Sequence, residues 1–346
     1  MPLLKAPITT SIVFVTVETD NGATGFGLTR SSQRFAVREF INREAAPFLR
    51  GKNPLETERI WNQLWSQFNP RAQTGMWSSA VSAIDIALWD LKGKHYSEPV
   101  WRLLGGAQNP VPAYVTFGLK QYTIEQLVDV GKQLVTQGEK RLKMVVAVDP
   151  DNPRLDAERV RAVREAVGDD VELMIDANYL FSFNRALELC KLVEPCAITW
   201  FEEPVYQNDA VLLADLRRHT SIPIAAGQNE GHRFRHRELI ANHAVDIAQP
   251  NVCSVGGYTE AVKVAALAQA FNLPIANGGG WPHHNMHLQA AVANGWRVEF
   301  HFEMWGVGDK IYKEPPAPDH GWVTLPETPG LGLEPRLDAL KEYEEK

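Results

Sequence analysis

The chain has 346 residues, with 35 Lys and Arg against 42 Asp and Glu for a net charge of −7, and 45% of its residues are hydrophobic. That length accommodates a large barrel domain plus a smaller partner and that composition a sizeable core, which excludes a disulfide-stapled peptide and a disordered chain. The acidic balance offers no surplus of cations to displace counterions from a phosphate backbone, so nucleic acid is not an expected partner.

Taken in chain order, MPLLKAPITTSIVFVTV lacks the basic region, long apolar core and cleavage site of a secretory signal, and no later apolar run exceeds strand length. Neither export nor membrane insertion is expected. SIVFVTVETDNGATGFG reads as strand, Asp-Asn-Gly turn and strand, an antiparallel hairpin. AVREFINREAAPFL, PLETERIWNQLWSQF and SSAVSAIDIALWDLKGKHY follow with helical period. From Val111 the texture changes. Apolar runs at 111–117, 142–148, 171–176, 197–202, 222–227, 245–250, 273–277 and 297–302 alternate with amphipathic stretches, at the spacing that one strand, one helix and two short loops consume. Eight strands joined by seven helices predict an α/β fold, a modified (β/α)7β TIM-type barrel. The Pro- and Gly-rich tail, KEPPAPDHGWVTLPETPGLGLEP, is expected to be irregular and to pack back on the N-terminal unit. The expected domains are an α+β capping unit at 1–108, the barrel at 109–312 and the tail at 313–346. Cys190, Cys196 and Cys253 show no CxxC spacing and cannot all pair, which reads as reduced thiols in a cytoplasmic protein.

Reactive groups of a parallel barrel belong at the C-terminal ends of its strands. Three consecutive runs close on Asp176, Glu202 and Gln228, each 26 residues after the last. Equal spacing of one βα unit places the three on adjacent strands at one height. Oxygen ligands on rigid strand ends suit a hard divalent cation, Mg²⁺ before Ca²⁺ or Mn²⁺. Taken singly, each would more often cap the following helix; the repeat is what points to a metal. Glu203 should by alternation point away from the barrel axis and act as a supporting carboxylate.

The ETDNGATGFG hairpin, the stretch SAVSAIDIALWDLKGKHYSEPVWRLLGG at 79–106, MIDAN, WFEEP, QPNVCSVGGYTEAVKVAALAQAF and PGLGLEP together resemble the enolase superfamily, in its mandelate racemase and muconate lactonizing enzyme group. The resemblance covers nearly the whole chain. It implies a capping domain closing over a barrel, one Mg²⁺ per subunit bound to a substrate carboxylate, removal of the α proton through an enediolate, and a homo-oligomer. It also implies metal ligands at Asp176 and Glu202 and a polar neighbour at Asn178. Gln228 stands where the family usually has Glu, which removes one negative charge from the shell; Glu230 is the alternative ligand. Lys143 matches the first Lys of the family's Lys-x-Lys, while Val145 replaces the second. Ser254 and Asn251 stand where relatives carry a Lys or a His-supporting Asp.

By elimination the proton-transfer group is expected in NGGGWPHHNMHL, with His283 and His284 ahead of His287 and facing Lys143 across the ion. The alternative is that Lys143 is the base and the loop histidines are structural. Asn251, Glu299, His301 and Glu303 are the expected substrate contacts, with a structural charge layer as the alternative for the last three. Trp77 is expected to pack the cap against the barrel, and the basic run 232–237 to form a solvated or intersubunit face. The short segment before the hairpin suggests a wide pocket or closure by a neighbouring subunit. Loss of the usual base pairs favours β-elimination of an aldonate or aldarate; racemization, epimerization, lactone cycloisomerization and simple acid binding are the alternatives.

Overall fold

The computed structural model describes residues 10–30 and 32–345; the first nine residues of the N-terminal stretch weighed above as a signal lie outside them. Strands β1 (Ile12–Glu18) and β2 (Thr24–Arg30) form the expected hairpin, in register from Ile12↔Arg30 to Glu18↔Thr24. Helices α1 (Arg34–Phe40) and α2 (Ala46–Leu49) are one expected helix interrupted by a π turn at Ile41–Ala45. They are followed by α3 (Thr57–Phe68), α4 (Met76–Tyr96) and α5 (Val100–Leu103). The long α4 is buried almost all round, because the hairpin covers one side and the barrel the other. Gly25 and Gly27 of β2 make the first contact possible: a Cβ on either would lie 2.1 Å from the carbonyl oxygen of Ala87 or Ala83. On the other side, Asp85 accepts a hydrogen bond from Thr259 N at 2.9 Å.

The barrel runs β3 (Val111–Gly118), α6 (Ile124–Thr136), β4 (Arg141–Val145), α7 (Pro153–Val167), β5 (Glu172–Asp176), α8 (Phe183–Val193), β6 (Ile198–Glu202), α9 (Ala210–Arg218), β7 (Ile224–Ala226), α10 (His232–Ala241), β8 (Ile247–Ala248), α11 (Tyr258–Ala270), β9 (Ile275–Ala276), α12 (Pro282–Ala291) and β10 (Gly295–His301). Every neighbouring pair is parallel, and β10 pairs back with β3 from Val298↔Ala113 to His301↔Thr116, which closes the ring. The second strand stops three residues short of its apolar run, since Ala147 takes a left-handed backbone (φ 57°) and turns the chain out of the sheet. Tyr114, Met174, Trp200, Ala225, Ile247 and Ala276 form an apolar floor inside the barrel. Alternation then puts Thr116, Asp176 and Glu202, two residues further along their strands, in a polar layer above it.

After α13 (Phe302–Ile311), the tail is more ordered than its composition suggests. Strand β11 (Tyr312–Lys313) pairs with β13 (Glu334–Pro335), and β12 (Trp322–Val323) adds antiparallel to β3 before α14 (Leu337–Glu342). Val100 N donates to Gly330 O and Leu331 N to the Asp90 carboxylate of α4, both contacts with the N-terminal unit. The basic run is not the solvated face expected of it: His232 and His236 are buried, His232 bonds Ala72 O through Nε2 at 3.0 Å, and Arg233 pairs with Glu260. Trp77 sits with Trp61 and Trp65 in the cap's own core, and Trp65 reaches the barrel through His232. The three cysteines are free and buried. Among the described residues, no helix is long and apolar enough to cross a membrane.

Candidate active site

The floor carries a buried charge cluster. Lys143 Nζ of β4 lies 2.6 Å from Glu202 Oε2, 2.9 Å from Glu299 Oε1 and 3.3 Å from Asp176 Oδ2. All four side chains are nearly or fully shielded from solvent. Asp176 and Glu202 sit side by side because they end paired strands in register, and each holds a second bond: Asn178 N donates to Asp176 Oδ1 at 2.8 Å, and Trp200 Nε1 to Glu202 Oε2 at 3.2 Å. Glu299 ties the cluster to the glycine loop after β9. Thr116 Oγ1 donates to its Oε1, and Gly280 N donates to its Oε2 at 2.6 Å.

Three carboxylates surround one ammonium in a low-dielectric site, and the titration behaviour follows from that imbalance. Burial alone would depress Lys143, yet Glu202, Glu299, Tyr114 and Asp176 together hold it well above the ordinary lysine value. Burial raises Glu299 too, but Lys143, His301 and Thr116 outweigh it and bring it below the usual carboxylate range. Glu202 is raised, first by burial and then by Asp176 and Glu299, against the pull of Lys143. Glu203 is also raised by burial and Asp176, although Asn208 Nδ2 and Gln228 Nε2 donate to its two oxygens.

Those same features fit a divalent cation. Glu202 Oε1 is buried with no hydrogen-bond partner. Gln228 spends its Nε2 on Glu203, which leaves Oε1 as the acceptor. The loop stays clear of both oxygens only because it is glycine: a Cβ on Gly278 would lie 2.5 Å from Glu202 Oε1, and one on Gly279 2.9 Å from Gln228 Oε1. Gly279 and Gly280 also adopt left-handed backbone, at φ 73° and 72°. Among the described residues, no three His, Cys, Asp or Glu side chains are grouped to hold a metal by themselves. The donor set here is two carboxylates and an amide, with oxygen atoms throughout, and the excess negative charge is what a hard cation relieves.

The other expected site residues fall in several places. His283, His284 and His287 all lie inside α12 and bond the C-terminal tail: His283 Nε2 to Pro316 O at 3.1 Å, His284 Nε2 to Tyr312 OH at 3.1 Å, and His287 Nε2 to Leu331 O at 3.1 Å. The structure does not bring His283 or His284 into the Lys143 cluster, because the left-handed turn at Trp281 (φ 58°) starts the helix before them. Burial depresses His283 to about 4 and His287 to about 3, so they are neutral. Glu230 pairs with Arg235 at 3.0 Å rather than joining Gln228. Asn251 donates through Nδ2 to Gly278 O at 2.7 Å and accepts at Oδ1 from Cys253 N and Asn285 Nδ2, so its amide is committed to holding the loop. Asn178 lies beside Asp176, half-buried, in a left-handed turn. His301, at the end of β10, accepts from Glu303 N through Nδ1 at 3.2 Å, which puts the proton of the neutral ring on Nε2. Glu299, Glu303, Lys143 and Asp176 all act on it electrostatically, while burial lowers its pKa.

Three groups around the cluster were passed over in the sequence. Tyr114 underlies Lys143, its ring 5.4 Å from Nζ, and Thr116 and Gln249 line the same layer. Tyr114 and Thr116 were accessible through strand parity, since they alternate on one face of β3. Gln249 closes its strand 21 residues after Gln228, outside the 26-residue repeat that singled out the others.

Two family models match the chain. The family model for the mandelate racemase / muconate lactonizing enzyme N-terminal domain matches residues 4–105, and the enolase C-terminal domain-like model matches 126–339. The chain belongs to the enolase superfamily, in the mandelate racemase and muconate lactonizing enzyme group. It is 32% identical over 339 residues to arabinonate dehydratase of Saccharolobus solfataricus, covering 96% of this chain and 90% of that one. It is 32% identical over 352 residues to D-galactarolactone cycloisomerase of Agrobacterium fabrum, at the same coverage of 96% and 90%. Among solved structures it resembles L-talarate dehydratase from Polaromonas sp. JS666, complexed with Mg and L-glucarate, at a TM-score of 0.89 and 32% identity over 97% of this chain and 92% of that one.

Proposed function

We propose that this chain is a Mg²⁺-dependent lyase that dehydrates a sugar acid, an aldonate or aldarate, by removing the proton α to its carboxylate and expelling the β-hydroxyl. The observation that carries this reading is the buried set of Lys143, Asp176, Glu202 and Glu299 at the strand ends of a barrel whose relatives include sugar-acid dehydratases along nearly their whole length. Asp176, Glu202 and Gln228 Oε1 would hold the ion, which when bound supplies a charge that binds the substrate carboxylate and stabilises the negative charge that builds as the proton leaves.

The chain's own residues do the rest. Lys143 is the proton-transfer residue in this reading: Glu202, Glu299 and Asp176 keep a proton on it in the metal-free protein, and it would release that proton and serve as the base once a cation held by Asp176 and Glu202 offsets their charge, while Glu299, itself bonded by Thr116, keeps its Nζ in place. His301 offers Nε2–H to a substrate hydroxyl, because its Nδ1 is already occupied. The loop at 277–281 shields the reaction from water, pinned by Asn251, Asn285 and Glu299. Free buried thiols suit a reducing cytoplasm. Cycloisomerization of an acid-sugar lactone is the second reading, supported by a cycloisomerase relative at the same identity as the dehydratase.

The test is incubation with a panel of aldonates, aldarates and their lactones in D2O, with Mg²⁺ or with EDTA. Dehydration yields a 2-keto acid only with Mg²⁺; cycloisomerization yields a product without loss of water. A panel in which no acid exchanges its α proton and none is consumed would overturn both readings.

A further inference from the structure

One polar side chain in the barrel takes no part in the reading above. Gln249 follows β8, fully buried, with its backbone N bonded to Ala226 O at 3.0 Å. Neither its Oε1 nor its Nε2 has a hydrogen-bond partner. A buried amide in that state carries its full desolvation penalty uncompensated, and such groups call for a physical explanation.

The explanation lies beside it. Glu202 Oε1, the unpartnered carboxylate oxygen of the cluster, faces the same point in space: the position a Cβ on Gly278 would take is 2.5 Å from Glu202 Oε1 and 3.1 Å from Gln249 Nε2. Gln228 Cβ closes a third side at 3.1 Å. The loop cannot sink further into this seat, because Asn251 Nδ2 holds Gly278 O at 2.7 Å. A donor and an acceptor, both orphaned and flanking one seat kept open by a glycine, are what a single oxygen atom requires.

We propose that Gln249 is a positioning residue for Glu202: its amide holds one oxygen, that of a water in the acid-free protein, which donates to Glu202 Oε1 and fixes the orientation in which that carboxylate meets a divalent cation. The inference rests on the reading of Glu202 as a cation ligand. It extends to this site the general rule that groups orienting a ligand side chain contribute to metal affinity without touching the metal.

The test uses Mn²⁺ as the probe, with free ion read by electron paramagnetic resonance in the full-length, acid-free protein. Gln249→Met keeps the length of the side chain but neither donates nor accepts. Its Mn²⁺ affinity is expected to fall about 10–100-fold, while its melting temperature changes little, because the amide and the water it holds leave the core together and the methionine side chain occupies the same length. Gly278→Ala places a methyl on the same seat and is expected to weaken Mn²⁺ over the same range without altering Gln249. The double variant should be no worse than the poorer single one, since both remove one oxygen. Wild-type affinity in Gln249→Met, or losses that multiply in the double variant, would overturn the proposal and leave the cation reading standing. A wild-type protein that binds no Mn²⁺ would overturn both.

Discussion

Replacing Lys143 by Met removes the ammonium that three buried carboxylates share. Methionine fills a similar volume, so the loss is electrostatic rather than a cavity. Taking one partner from a buried ion pair costs about 3–5 kcal/mol, because the remaining charge is left uncompensated. Unfolding entropy of about 2.1 cal/mol/K per residue gives roughly 0.7 kcal/mol/K for a chain of this length, so the melting temperature in EDTA should fall by about 4–7 °C. A divalent cation bound by Asp176 and Glu202 replaces part of the missing positive charge. At a concentration about 100-fold above its Kd it stabilises by about 2.7 kcal/mol, and the variant should gain more from Mg²⁺ than the wild type, whose ammonium competes for the same oxygens. Differential scanning calorimetry with and without Mg²⁺ measures both effects, and a dehydratase assay should find turnover abolished. An unchanged melting temperature in EDTA, or a gain from Mg²⁺ no larger than that of the wild type, would refute the reasoning.

Gln228→Glu adds a negative charge to the donor set and should tighten Mn²⁺, read by electron paramagnetic resonance, while Glu230→Gln should change little because Glu230 is paired with Arg235. In the metal-free protein the same Gln228→Glu change sets a carboxylate against Glu203 where an amide now donates, costing about 1–3 kcal/mol of stability by urea titration. His283→Asn and His284→Asn should keep turnover within about an order of magnitude and lower stability by roughly 1–3 kcal/mol as they release Pro316 and Tyr312; loss of turnover at wild-type metal affinity would return the proton-transfer role to α12. Asp85 is fully buried and burial raises it from 3.8 to about 7. The fold therefore binds a proton that the unfolded chain has already released, so this contribution is fully present below pH 3.8 and is lost as pH rises through about 7. Asp85→Asn should flatten that decline and gain up to about 4 kcal/mol above pH 7, and a pH series of urea midpoints identical to that of the wild type would argue against it.

Much of this was legible in the chain because it is periodic. Strand ends repeat at the βα period, so Asp176, Glu202 and Gln228 follow from counting and Glu299 from strand parity, while Lys143 follows from its match to the family's Lys-x-Lys. The histidines of α12 were misdirected for a conformational reason. Their position relative to the strand end depends on three glycines and a left-handed Trp281, and such residues break the register that counting assumes. Glu203 is a related case. Its left-handed backbone (φ 43°) ends the alternation that would have sent it away from the site, and it instead accepts from Gln228. The tail's strand pairings were hidden because two-residue strands carry no period.

The imidazoles of α12 make the last part of the chain a mechanical component of the barrel mouth. Through Pro316, Tyr312 and Leu331 the tail braces the helix that begins where the glycine loop ends. Shortening the chain from its C-terminus, or fusing a bulky partner against 312–331, is thus a way to slacken the loop over Glu202 from a distance, without altering any residue that touches a ligand.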